Sequence, residues 1–279
     1  MRYVSALLVS AVLLGWTAGC QFLQDHPDAS PVRPVASGLK GPLGLEADDQ
    51  GRLWVTEAGS GTTTDGQLTL ITPDGAVHAV VTGFSSQVSP EGAVFGLNHV
   101  LLQGNTLWLL HGVEGRLYRF DITSFQPGDT PRKARELTYE DIGSFVKAHP
   151  FEDDTKASDV FNLTLGPEGD LFIVDAGANA IIRRKASTGQ FSVFATIPPI
   201  VHPGGDTLEA VPTGIAFEGQ NFLVSNFTGY PYPSGQAPIF QFSLDGSEST
   251  FQTGLTTLTD IELGADEQPL VLEYGQWNG

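Results

Sequence analysis

What most constrains this chain is a unit that recurs five times. The stretches "GRLWVTEAG", "NTLWLLHG", "GDLFIVDAG", "QNFLVSNFTG" and "EQPLVLEYG" each carry an apolar run that stops at a polar residue. Those residues are Glu57, His111, Asp175, Asn226 and Glu273, spaced 54, 64, 51 and 47 residues apart. An apolar segment precedes each ("PLGLEA", "NHVLLQ", "FNLTLG", "PTGIAF", "TDIELG"). A third follows most of them ("QLTLIT", "RLYRFD", "AIIRRK", "PIFQFS"), and a fourth appears as "VHAVVTG", "FSVFATI" and "STFQTGL". Turn residues of hairpin type, Pro73-Asp74-Gly75, Ser187-Thr188-Gly189 and Leu244-Asp245-Gly246, separate third from fourth. Four short antiparallel strands in units of about 45 residues are the arithmetic of a β-propeller blade.

The sequence therefore predicts an all-β propeller of four full blades and an incomplete fifth. Only two strands, starting near Thr257, precede Gly279 in that fifth unit. "RPVASGL" (Arg33–Leu39) is expected as a lone fourth strand that pairs with the last blade and removes an exposed edge. Between the second and third units, "PRKARELTYEDIGSFVKAHPFEDDTKASD" adds about twenty-five residues to the usual link. Leu137, Ile142, Phe145 and Val146 give it a short helical spacing that Pro150 ends.

The N-terminus speaks to compartment. "MRYVSALLVSAVLLGWTAGC" combines Arg2, an apolar run and small residues before Cys20, which is the layout of a secretory signal. Thr17-Ala18-Gly19-Cys20 resembles the lipobox of bacterial lipoproteins, departing from it at Thr17, where Leu is usual. That resemblance implies a lipid on Cys20 and, with Gln21 next, residence in the outer membrane or periplasm. Cys20 is the only cysteine, so an intrachain disulfide is excluded. Residues 1–19 are thus expected as leader, 20–33 as tether and 34–279 as propeller. The net charge of −18 argues against nucleic acid and anionic lipid surfaces as partners, leaving the lipid as the only membrane contact.

Three stretches carry a family likeness: "VASGLKGPLGLEADDQGRLWVTEAG", "DVFNLTLGPEGDLFIVDAGANAIIR" and "AVPTGIAFEGQNFLVSNFTGYPYPSG". With them the chain resembles the ScyD/ScyE family of exported NHL-like propellers, from about Val35 onward. The resemblance implies a six-bladed ring, longer than the units counted here, and assigns no activity to particular residues.

Two sets of equivalent positions are candidate sites. Glu57, His111, Asp175, Asn226 and Glu273 would share one radius and height, as a polar-ligand rim or as caps on turn amides. The innermost strands place Asn98, Asn162 and Asp260 near the axis, beside Gly44 and Gly214. Two amide oxygens and a carboxylate suit Ca²⁺, with Glu46 or Glu91 as a further ligand. Tyr230 and Tyr232, flanked by Pro231 and Pro233, form an aromatic ledge suited to a small molecule or a partner's loop. No Gly-x-Ser-x-Gly elbow and no His-x-x-x-His pair occur. Two readings follow. One is an envelope-anchored, non-catalytic scaffold that binds an envelope protein or a small molecule. The other is a metal-dependent hydrolase, lactonase or lyase working in the central channel.

Overall fold

A computed structural model describes residues 33–89, 92–152, 156–201 and 204–275. The leader, Cys20 and nearly all of the tether lie outside the described residues, as do Glu91 and His202. The compact body runs from Ala36 onward.

Four antiparallel sheets of four strands follow one another, and a two-stranded fifth ends the series. Sheet one is Pro42–Ala47, Leu53–Glu57, Gly66–Ile71 and Val77–Phe84. Sheet two is Leu97–Gln103, Thr106–His111, Arg116–Asp121 and Tyr139–Asp141. Sheet three is Val160–Leu165, Leu171–Asp175, Ala180–Arg184 and Phe191–Thr196. Sheet four is Pro212–Phe217, Asn221–Asn226, Ala237–Ser243 and Glu248–Leu255. Sheet five is Leu258–Leu263 and Pro269–Glu273. The first strand of each sheet packs beside the first strand of the next.

Strand alternation explains how the sheets stack. Leu107 and Leu109 point toward sheet one and its Trp54, Leu68 and Leu70. Their neighbours Trp108 and Leu110 point toward Leu171 and Ile173 of sheet three. Phe172 and Val174 in turn meet Phe222, Val224 and Phe242 of sheet four. Successive side chains leave opposite faces of a strand, so an inner sheet needs apolar residues at nearly every position. That is the physical origin of the unbroken apolar runs in the sequence. Truncating one of these buried aromatics to Ala costs about 3–5 kcal/mol.

Two expectations are corrected. Arg33–Leu39 forms no strand among the described residues, and sheet five keeps two strands. Pro34, with Gly38 and Gly41 at φ of 81° and 60°, turns this segment where a strand must extend. The segment between units two and three is also more than a loop. Tyr139–Asp141 is the fourth strand of sheet two, and Arg132–Lys133 pairs in parallel with the outer strand of sheet one. Helix Ile142–Ala148 buries Ile142 and Val146 and is N-capped by Asp141, which accepts from Ser144 N–H at 2.8 Å. Glu140 accepts two bonds from Arg184, at 2.6 and 2.7 Å, tying sheet two to sheet three.

Candidate functional site

The five strand-end residues occupy one register. Each ends the second strand of its sheet and pairs with the first residue of the first strand: Pro42 with Glu57, Leu97 with His111, Val160 with Asp175, Pro212 with Asn226, Leu258 with Glu273. Their bonds turn inward to the fold. Asp175 accepts from Asp159 N–H, Gly177 N–H, Ala178 N–H and Ser158 Oγ at 2.6–3.0 Å. Glu57 accepts from Lys40 N–H at 2.5 Å and from Gln67 and Thr69. Glu273 accepts from Thr256 N–H at 2.6 Å, and Asn226 donates to Pro238 O at 3.1 Å. The first four are buried. In sheets one, three and five the carboxylate caps the segment entering the sheet, whereas His111 bonds Ser85 and Asn226 Oδ1 is buried without a partner.

His111 adds a Ser85–His111–Glu114 cluster with the wrong proton arrangement for nucleophile activation. Glu114 N–H donates to His111 Nδ1 at 3.3 Å, so the ring proton sits on Nε2, 3.0 Å from Ser85 O. Ser85 Oγ donates to Glu114 Oε1 at 2.6 Å. A protonated Nε2 cannot accept the hydroxyl proton, and burial holds this imidazole below its usual pKa.

The channel layer lies one strand inward. All five innermost strands carry a bulge near their start, where the first strand has one residue more than its partner. In sheets three to five the pairs after the bulge are Asn162 with Val174, Gly214 with Ser225 and Asp260 with Leu272. In sheet two, Leu97 pairs with His111 and Val100 with Leu109, so His99 stands at the matching position and Asn98 is the extra residue. The ring is therefore Gly44, His99, Asn162, Gly214 and Asp260. Asn98 instead joins the bulge residues that stitch neighbouring sheets. Asn98 Nδ2 donates to Val160 O at 3.0 Å, as Thr213 Oγ1 donates to Leu258 O at 2.7 Å.

Gly44 and Gly214 are glycines because the next sheet comes too close for a side chain. A Cβ on Gly44 would lie 2.8 Å from His99 Cα, and one on Gly214 2.7 Å from Ile261 N. With sheet four bare here, Asp260 of sheet five reaches across to Asn162 of sheet three, whose Nδ2 donates at 2.7 Å. His99 is 6 % exposed and packs on Phe161 with ring centroids 5.5 Å apart. Neither of its ring nitrogens has a hydrogen-bond partner among the described residues. Burial holds it neutral, and the nearby Asp260 charge opposes that only in part.

Two residues further along the strands, on the same face, come Glu46 and Glu262. Glu46 Oε1 accepts from Leu102 N–H at 3.2 Å, and burial raises its pKa. Glu262 opens to solvent yet is crowded by protein. Burial, then the charges of Asp260 and Glu46, push it up to about 7. Sheets one, two, three and five thus bring Glu46, His99, Asn162, Asp260 and Glu262 into one layer of the inner strands.

The predicted calcium set does not fit this arrangement. Asn162 Oδ1 already accepts from Leu163 N–H at 2.6 Å, and Asp260 Oδ1 takes both Asn162 Nδ2 and Ile261 N–H. Asn98 faces Asp159 and Val160 instead. Among the described residues no three His, Cys, Asp or Glu side chains come close enough to hold one metal ion.

Sequence reasoning put His99 near the channel but gave its ring position to Asn98, named Glu46 without Glu262, and missed Asp159. The last has a carboxylate packed round by protein, and burial with the Asp175 charge raises it to about 7. Beside it Asn98 Oδ1 is buried without a partner. At the aromatic ledge, Tyr230 is 75 % exposed and its ring stands at 88° to Tyr232. Tyr232 meets Phe227, and Phe227 meets Tyr274, 76 % exposed, which extends the ledge onto sheet five. A cavity of about 280 Å³ lies between Arg119, Arg132 and Glu136, among the outer strands of the first two sheets.

No family model matches the chain, and no curated protein matches it in sequence. Solved structures do. Virginiamycin B lyase from Staphylococcus aureus is 15 % identical over 84 % of this chain and 64 % of that one, with a TM-score of 0.52. A streptogramin B lyase is 18 % identical over 83 % and 62 %, at 0.51. A gluconolactonase from Xanthomonas campestris is 14 % identical over 86 % and 71 %, at 0.53. The fold is that of a β-propeller. This chain spans less than two thirds of the length of either lyase, and at these identities the likeness speaks for architecture alone.

Proposed function

We propose that this propeller processes a small molecule by acid–base chemistry of the hydrolase, lactonase or lyase kind, at this layer of its inner strands. One observation carries the reading: an unpartnered, neutral His99 faces the same channel as a carboxyl group held near pH 7. Groups poised on either side of neutrality are what proton transfer needs. Glu262 is the proton donor and acceptor, His99 the neutral hydrogen-bonding base, and Asn162 fixes the Asp260 carboxylate. The propeller lyases and lactonases among the neighbours support this reading over a scaffold without chemistry.

A panel of lactones and activated esters tests it. Turnover is expected with a pH limb near 7, falling about 100-fold or more in Glu262→Gln at unchanged circular dichroism. A panel turned over equally by parent and variant removes Glu262 and the channel from the chemistry.

The scaffold reading rests on the exposed Tyr230 and Tyr274, which are free to meet a partner. Tyr230→Ala with Tyr274→Ala would then abolish partner capture while leaving channel chemistry intact. Membership of the ScyD/ScyE family and a lipid on Cys20 belong to the same proposal, supported by the quoted motifs. Labelled palmitate incorporated by the parent and lost in Cys20→Ser tests the anchor.

A further inference from the structure

We infer that the channel takes an organic cation, an amine or guanidinium on a carbon body, as its substrate or ligand. This deepens the channel reading above and rests on it. Glu46, Asp260 and Glu262 converge from the first and fifth sheets, and none of them has a Lys or Arg in ion-pair reach among the described residues. The other polar groups close by are His99, which is uncharged, and Asn162, whose amide is already engaged. Three acidic groups in one partly desolvated layer leave a negative field without an internal counter-charge, and the net charge of −18 adds to it at long range.

The shape of the set decides between cations. A bare divalent ion needs oxygens about 2.3–2.6 Å away on several sides. Asp260 and Glu46 are near enough to raise the Glu262 pKa, but the three are not clustered tightly enough to share one ion. A cation spread over several atoms meets that spacing. His99 supplies the second, independent sign of a ligand. Its ring is 6 % exposed, faces the same layer as Asp260, and has both nitrogens without a partner among the described residues. A neutral imidazole nitrogen accepts a hydrogen bond from an ammonium N–H, which supplies what the fold leaves out. Phe161, tilted against it with ring centroids 5.5 Å apart, offers an apolar surface to the carbon body.

The test compares benzylamine with its neutral isostere benzyl alcohol by calorimetry on the purified chain at pH 8. Benzylamine is expected to bind one site at least about ten-fold more tightly, and Glu262→Gln or Glu46→Gln to remove most of that difference. Circular dichroism verifies the fold of each variant, and the two variants back each other should one fail to fold. Equal affinity for the two probes overturns the inference. So does benzylamine binding that both variants leave untouched, because that is counter-ion binding to the acidic surface. Calcium chloride that binds one site and displaces benzylamine overturns it in favour of a metal. The two readings fail separately. Lactone turnover lost in Glu262→Gln, without any preference for benzylamine, keeps the chemistry and discards the cation.

Discussion

The strand-end ring and the channel layer come from the same repeat, one at the tips of second strands and the other on first strands, and they use polar groups in opposite ways. At the strand ends Asp175 takes four donors and Glu57 three, although burial still outweighs the four bonds and raises the Asp175 pKa. In the channel His99 has no hydrogen-bond partner among the described residues, Glu46 has one backbone donor, and Glu262 sits beside two like charges. Equivalence in a repeat therefore does not mark function. The capping carboxylates of the strand ends hold the sheets in order, and His99, Glu46 and Glu262 of the inner layer keep bonding capacity to spare.

The sharpest way to break that contrast is to close the gap that lets the channel layer form. Gly214→Ala places a Cβ 2.5 Å from Ser225 Oγ and 2.7 Å from Ile261 N, so sheets four and five must separate or distort. A loss of about 3 kcal/mol or more is expected in denaturant unfolding. Gly204→Ala, with nothing within 4 Å, is the control and should stay within about 0.5 kcal/mol. The next largest effect belongs to the strand ends. Asp175→Ala strands its donors and should cost about 3 kcal/mol, whereas Glu273→Ala loses one exposed bond and should cost under about 1 kcal/mol. Similar losses at both positions would show that bond count is not what separates the sites.

Asp159 sharpens the comparison because it sits at the strand-end level yet its carboxylate has one described bond, a 3.4 Å contact from Asn98 Nδ2. Its folded pKa of about 7 stands above the ordinary 3.8, so the native chain holds a proton that the unfolded chain has released. Stability from this group accordingly falls as pH rises from about 4 to about 7 and stays low above that. Asp159→Asn removes the charge at constant volume. A gain of about 1–2 kcal/mol is expected at pH 8, vanishing below pH 4, in chemical denaturation run at both pH values. A gain that is the same at both pH values would assign it to packing.

Much of this was legible from the sequence, and the omissions have physical causes. Apolar runs ending in a polar residue located the ends of all five second strands, because backbone pairing and burial both impose that pattern. The same periodicity placed Gly44, Asn162, Gly214 and Asp260 in one layer. It put Asn98 where His99 stands because Leu97 to His111 is one residue shorter than the matching span in sheets one, three and five. The fourth strand of sheet two was hidden inside the long connection, since three residues ending at a helix cap carry too little alternation to be seen. Glu46 and Glu262 are far apart in sequence, and only the curvature of the stacked sheets brings their charges together.

The smallest expected stability effect is the one that most separates the two regions. Glu262→Gln removes a carboxyl group crowded by Asp260 and Glu46, but solvent in the open channel screens those charges. Its raised pKa means the folded chain loses a little stability from this group as pH climbs toward 7, so Gln is neutral at pH 5 and slightly favourable at pH 8. The change should stay within about 0.5 kcal/mol at either pH by thermal and denaturant unfolding. A loss as large as that of Asp175→Ala would make Glu262 a structural cap like the strand-end carboxylates, and the channel would no longer differ in kind from the ring around it.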